Sequence, residues 1–285
     1  MGADTVSAIG NSLVQFGHHN ERIYVMRMAS DDIPDIIRSL DDLARKERYS
    51  KIVVKIPISS VPVFLEAGYI IESIVPHFFH GKEAAAFMAW YSDPKRKEVA
   101  NHAVIRQVLS TALGYKGREF SPQLPAGFSL AAAHPDDAGE IAALYRSVFA
   151  TYPFPITDLG YVVRSMREGI RYFCIRSADR IVAVSSCEIH TDAQNAEMTD
   201  FATDTTFRGK WFAGNLLHVM ESATREEGVR LAYTIARATS EPVNILFARA
   251  GYEYAGLLPN NTNIGGKIES MNVWYKSLAT GNRCG

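Results

Sequence analysis

The chain's 285 residues are enough for about two domains at ~150 residues each. Lys and Arg total 30 against 31 Asp and Glu, which excludes a nucleic-acid binder working through a large basic surface and excludes an acidic solvating tail. An apolar content of 47%, with 11% aromatics, excludes wholesale disorder.

In chain order, Ile23–Met26 is β-favouring. Asp31-Asp32-Ile33-Pro34 then offers a helix start, and Ile33, Ile36, Ile37, Leu40 and Leu43 carry an amphipathic helix to about Arg48. Lys51–Ile56 reads as a buried strand stopped by Pro57, and a short helix near Val61–Ala67 ends at Gly68. Strands are expected at Tyr69–Val75 and Ala85–Trp90. From Asp93 to Pro125 the chain turns polar and is punctuated by Gly and Pro, so a domain boundary is expected near residue 125. The second half, 126–285, opens with a strand at Phe128–Ala132 and a helix whose inner stripe is Ile141, Leu144, Tyr145 and Val148. A proline-stiffened aromatic loop, Thr151–Pro155, precedes a helix near Asp158–Glu168. Strands follow at Arg171–Arg176, Ile181–Ile189 and Glu197–Thr203, and a helix runs from Arg208 to Gly228. The remaining elements are a strand at Leu231–Ala236, a helix at Asn244–Arg249, and strands at Tyr254–Leu258 and Glu269–Tyr275.

Cys174, Cys187 and Cys284 show no metal or disulfide spacing, so neither a metal nor a disulfide framework is expected. No apolar run approaches the ~20 residues of a membrane helix, and Met-Gly-Ala-Asp does not begin a secretion signal. The expectation is a cytoplasmic protein with neither nucleic acid nor membrane as a partner; a homodimer stays open.

One pattern occurs twice. Phe-Leu-Glu-Ala-Gly68-Tyr69 follows the first short helix and Phe-Ala-Arg-Ala-Gly251-Tyr252 the last, each between a strand and a strand pair ending near Trp-Tyr. Two copies of one fold are as good a reading as coincidence. The most specific chemical signal lies between Asp200 and Leu217, where a strand enters the turn Arg208-Gly209-Lys210-Trp211 and then a helix. Unpaired N–H groups at a helix start, with basic side chains beside them, suit a phosphate; a solvated basic turn is the plain alternative.

Arg208-Gly209-Lys210-x-Phe212-Ala213-Gly214 after a strand resembles the acetyl-CoA pyrophosphate motif of the GNAT acyltransferase superfamily, and Asn244 with Phe247 and Gly251-Tyr252 resembles its second CoA motif. The resemblance implies an α/β (α+β) fold, a GNAT-like mixed sheet flanked by helices, in residues 126–285; on the repeated pattern, residues 1–125 are expected to form a smaller, degenerate GNAT-like domain, and lacking a Gly/Lys phosphate turn it is expected to bind no CoA. The resemblance also implies acetyl-CoA as cosubstrate, held by Phe201, Ala202, Thr203, Arg208, Gly209, Lys210, Phe212, Ala213, Gly214, Asn244 and Phe247. Trp211 stands where that motif usually has glycine. Phe247 stands where many members carry a tyrosine acid.

A narrower resemblance spans nearly the whole chain. Ile9-Gly-Asn-Ser-Leu13, Asn20-Glu-Arg-Ile-Tyr24, Glu197–Thr203, Tyr233–Arg237, Asn260–Asn263 and Ile268–Tyr275 are similar to the beta-lysine N6-acetyltransferase family. This implies acetylation of the terminal amine of 3,6-diaminohexanoate to give N6-acetyl-beta-lysine, a compatible solute. A primary ammonium, pKa ~10.4, must lose its proton before attacking a thioester. Glu197 is the expected base and Asp200 the expected partner of a substrate ammonium. In regular β geometry Asp200 faces the opposite side, unless a bulge re-aims it. For the rest of a diamino acid, Asn261, Asn263 and Glu269 are candidate polar lining, Arg237 a candidate carboxylate clamp, and Tyr152 with Phe154 a cover. Two other readings stay open: an acetyltransferase for another small amine or peptide amine, and a catalytically silent acyl-CoA-binding module.

Overall fold

The computed structural model describes residues 4–118 and 121–279. Its first half comprises β1 (Thr5–Ile9), β2 (Ser12–Gly17), β3 (Arg22–Arg27), α1 (Asp35–Glu47), β4 (Lys51–Pro57), α2 (Val61–Glu66), β5 (Ile70–Phe79), β6 (Glu83–Tyr91) and α3 (His102–Leu113). The second comprises β7 (Phe128–Ala132), α4 (Ala138–Val148), α5 (Leu159–Arg167), β8 (Arg171–Ser177), β9 (Arg180–His190), β10 (Asn195–Thr203), α6 (Phe212–Glu226), β11 (Leu231–Arg237), α7 (Glu241–Arg249), β12 (Glu253–Ile264) and β13 (Lys267–Ser277).

All thirteen strands join one mixed sheet in the order β1-β2-β3-β4-β6-β5-β12-β13-β11-β10-β9-β8-β7. The expected mixed sheet flanked by helices is therefore present. The order also repeats. β3 pairs in parallel with β4, and β6 and β5 follow; β10 pairs in parallel with β11, and β13 and β12 follow. The two series meet at β5 and β12, through the single pairing of Gly256 with Ser73. A Cβ at Gly256 would lie 2.6 Å from the Glu72 carbonyl oxygen, so only glycine lets the strands approach this closely.

Helix burial follows from side-chain alternation. Phe173 and Ile175 of β8 pack with Phe212, Leu216, Leu217 and Met220 of α6 and with Phe247 of α7. Their neighbours Tyr172 and Cys174 face the other way, onto Ile141, Leu144 and Tyr145 of α4 and Val162 of α5. A third cluster spans the joint: Val75, Phe78 and Phe87 meet Leu231, Tyr233, Met271 and Val273. Phe78 lies 4.9 Å, centroid to centroid, from Tyr233.

The repeated Ala-Gly-Tyr step has the same geometry at both sites. Gly68 and Gly251 adopt φ of +85° and +86°. The next residue's N–H closes the turn on the aromatic five back, Tyr69 to Phe64 and Tyr252 to Phe247, each at 3.0 Å. Each tyrosine also packs edge-on against that phenylalanine, at 5.2 and 5.0 Å. This is the left-handed helix stop with its apolar contact, and it gives an aromatic at 247 a packing role.

The β1–β2 hairpin was not expected from the sequence, nor was α3, which lies in the stretch read as a polar connection. Ile105, Val108 and Ala112 form the buried stripe of α3, and Leu109 and Ala112 pack into the core of the second half. β12 continues to Ile264, six residues past the expected Leu258. Cys174 and Cys187 are buried and free; Cys284 lies outside the described residues. Among the described residues no helix is long and apolar enough to cross a membrane.

Candidate active site

β10 and β11 stay paired for only three residues, Asn195–Glu197 against Leu231–Tyr233, and then diverge. Glu197 is thus the last rung before the strands open a cleft. On its other edge β10 slips register against β9 between Thr199 and Ala202, and Asp200 takes φ +57°, a left-handed conformation that aspartate tolerates. The bulge turns Asp200 to the side of Glu197, and both line a cavity of about 830 Å³.

The walls come from both halves. Arg22, Tyr24 and Lys55 descend from β3 and β4; Glu188 and His190 from β9; Glu197, Thr199, Asp200 and Phe201 from β10; Tyr233–Arg237 from β11. Phe149, Tyr152, Phe154 and Tyr161 form an aromatic wall. The Gln15 amide donates to the Pro153 carbonyl at 2.9 Å and ties that loop to β2.

Asp200 is the most constrained carboxylate. Tyr152 Oη and Ser186 Oγ each donate to it at 2.5 Å, and Thr199 Oγ1 at 3.2 Å. Burial still raises its pKa above the usual carboxylate range. Burial also raises that of Glu197, against the opposing pull of the Lys55 ammonium and of the Tyr233 hydroxyl bonded to it. Glu188, desolvated and facing Glu197 and Asp200, is pushed up to about 8. Lys55 is lowered by burial and donates to Tyr233 Oη at 2.8 Å, giving the chain Lys55–Tyr233–Glu197. His190 is lowered to about 4, by burial and then by Lys55 and Arg27, so it is neutral near pH 7. Three carboxyl groups crowded out of water, Glu188 mostly protonated near pH 7, make a site that gains from an incoming ammonium.

The Arg208–Lys210 turn is exposed, and α6 begins without a side-chain cap. Gly209, at φ +82°, would have open space around an added Cβ. Trp211 adopts φ +57°, the conformation that explains why glycine is favoured at this position; it is 43% exposed and carries Arg249 over its ring at 4.4 Å.

The other expected site residues divide. Phe201, Tyr152, Arg237, Asn261 and Phe247 line the cavity with Glu197 and Asp200. Ala202 and Thr203 pair with Val184 and Ala183 of β9, Phe212 and Gly214 are buried in α6, and Ala213 is half-buried there. Asn244 is buried away from the cavity. It donates to the Arg237 and Ser240 carbonyls and accepts from Asn272 and Trp274. Asn263 donates to the His19 carbonyl, and Glu269 accepts from Thr239 and pairs with Lys267; neither lines the cavity. Sequence reasoning passed over Arg22, Tyr24, Lys55 and Glu188. The signal was present: Lys51 and Lys55, four apart in an apolar strand, share a buried face and need partners.

No protein-family model matches the chain. It is 33% identical over 273 residues to a beta-lysine N(6)-acetyltransferase of Methanococcus maripaludis, covering 96% of this chain and 98% of that one. To the beta-lysine N(6)-acetyltransferase of Methanosarcina mazei it is 29% identical, covering 86% and 97%. To the N-acetyltransferase YodP of Bacillus subtilis it is 27% identical, covering 91% and 93%.

Proposed function

The chain belongs to the beta-lysine N(6)-acetyltransferase family, and from that premise we propose that it transfers the acetyl group of acetyl-CoA to the N6 amine of beta-lysine. The observation that carries this reading is Glu197 at the mouth of the β10–β11 cleft, lining a cavity rich in carboxyl groups. When bound, acetyl-CoA supplies a thioester carbonyl. The uncapped start of α6, the open left-handed Gly209 and the exposed Arg208 and Lys210 fit its phosphates. The cleft between the diverging strands, walled by Phe201, Ile235 and Val243, fits its apolar arm.

Glu197 takes the proton from the N6 ammonium. The freed nitrogen attacks the carbonyl carbon, the C–N bond forms, the C–S bond breaks with its electron pair leaving on sulfur, and the nitrogen's second proton is lost, in balance, to the departing thiolate, which leaves as free thiol. A thiol of ordinary pKa, ~8.5, needs no separate acid to break away as thiolate, so the phenyl ring at 247 poses no obstacle. Asp200 holds an ammonium with its remaining lone pair, and the aromatic rings of Tyr152 and Tyr161 in the same wall suit a cation. The product, N6-acetyl-beta-lysine, is a neutralised amine that the same carboxylates hold less well, which promotes release.

The test is thiol release from acetyl-CoA with beta-lysine, wild type against Glu197→Gln. A fall in kcat of about 100-fold or more is expected, since a positioned base contributes 10²–10⁴. If wild type binds acetyl-CoA yet neither beta-lysine nor any other diamine accelerates thiol release, the chain is a silent acyl-CoA binder and the reading fails.

A further inference from the structure

Arg22 is a buried guanidinium that, among the described residues, has no carboxylate in ion-pair or hydrogen-bond contact; its aromatic neighbour is the Tyr24 ring, 5.0 Å away. It is 4% exposed and lines the cavity from β3. Its Nη1 donates to the Asn261 carbonyl at 2.7 Å and to Thr262 Oγ1 at 3.0 Å. Nη2 reaches Gln15 Oε1 only at 3.4 Å, and Nε has no acceptor. Every acceptor is neutral. Two other buried cations meet acids, Lys51 with Glu72 at 3.0 Å and Arg96 with Glu21 at 3.2 Å, whereas Lys55 meets the Tyr233 hydroxyl.

Leaving a buried charge on neutral partners is costly unless something else meets it. Arg22 is held by its Nη1 side, so the side formed by Nε and Nη2 keeps its hydrogen-bonding capacity. That is an edge with which guanidinium grips a carboxylate through two parallel bonds. The carboxylates that suit an ammonium stand on β9 and β10, whereas Arg22 stands on β3. A zwitterionic acceptor would span the two. Lys55 is already committed to Tyr233. Arg237, half-buried at the end of β11, stands in the cleft assigned above to the donor.

We propose that Arg22 binds the carboxylate of the acceptor, so that the first half of the chain makes the enzyme select a diamino acid over a plain diamine. The inference rests on the acetyl-transfer reading above, and its test separates the two.

Acetylation of beta-lysine is compared with that of 1,4-diaminopentane, the same carbon skeleton and amines with hydrogen in place of the carboxylate. Wild type is expected to favour beta-lysine by about 50-fold in kcat/KM, the worth of a charge-assisted pair. Arg22→Gln should lose that factor on beta-lysine and stay within about threefold of wild type on the diamine. Arg22→Lys, which keeps the charge and the fold but not the fork, should lose about tenfold on beta-lysine alone. Equal losses on both acceptors would make Arg22 a strut between β3 and β12 and overturn the proposal. So would an undiminished preference in Arg22→Lys, or a preference that collapses in Arg237→Gln instead. Wild type that acetylates both acceptors equally refutes the inference and leaves the reading intact; wild type that acetylates neither refutes the reading, and the inference with it.

Discussion

A single left-handed residue decides which side of β10 Asp200 faces. Alternation alone sends Asp200 away from Glu197 and φ +57° brings it back, so the bulge that the sequence left open is what sets its direction. Trp211 likewise has a left-handed backbone that no residue-by-residue pattern reveals. Replacing it with glycine relieves ~1–2 kcal/mol of strain and removes a cation–π contact worth ~0.5–1 kcal/mol. Trp211→Gly is therefore expected to keep unfolding stability, measured in urea, within about 1 kcal/mol of wild type. Lys55 yields a sharper test. Burial raises the Glu197 pKa, and Lys55 holds it down. A base works only when ionised, so kcat/KM falls as pH drops through that pKa. Lys55→Met should move this acid limb to higher pH by about one unit, while Asp200→Asn, which removes a charge that raises the same pKa, should move it lower. A limb that stays put in both variants would show that Glu197 is not the group being titrated.

At the scale of elements, most of the second half was readable because its strands and helices obey simple periods and end at glycine. α3 was not, since its stripe of Ile105, Val108 and Ala112 is short and flanked by the punctuation of a connection. Nor was the role of Asn244, whose amide is spent inside the fold, on two carbonyls and on Asn272 and Trp274. The start of α6 could be read as a candidate phosphate site because the signal is local: basic and glycine residues leading directly into a helix. Arg208→Ala and Lys210→Ala are each expected to raise KM for acetyl-CoA about tenfold with little change in KM for the amine. Both groups are exposed, so the effect should shrink several-fold in about 0.5 M salt, where such interactions are screened. Steady-state kinetics with either substrate varied would show it; an amine-side effect instead would place the turn at the wrong substrate.

At the scale of the molecule, the motif Asn260–Asn263 has a role that its polarity concealed. Sequence alone suggested lining for a polar substrate, and Asn261 does border the cavity. Its neighbours clasp the two halves. Asn260 Nδ2 donates to the Arg96 and Glu98 carbonyls, Arg96 Nε returns a bond to the Asn260 carbonyl at 2.8 Å, and Lys51 donates to the Pro259 carbonyl at 2.8 Å. The Asn263 N–H donates to Asn20 Oδ1 at 2.7 Å. Contacts this distant in sequence leave no periodic trace, which is why the joint was illegible while most elements within each half were not. The clasp backs up a sheet joint that depends on Gly256. Gly256→Ala would drive a methyl group against the Glu72 carbonyl, and a loss of about 2–3 kcal/mol in urea unfolding is expected, the range of a backbone clash in a packed joint. Asn260→Ala should cost about 1 kcal/mol, chiefly by leaving the part-buried Arg96 carbonyl unpaired, since the Glu98 carbonyl is open to water. Because Arg22, Tyr24 and Lys55 reach the cavity only through this joint, both variants should raise KM for the amine more than KM for acetyl-CoA, whose proposed site lies within the second half. Lost stability with both KM values unchanged would mean that the first half supports the fold and takes no part in the site.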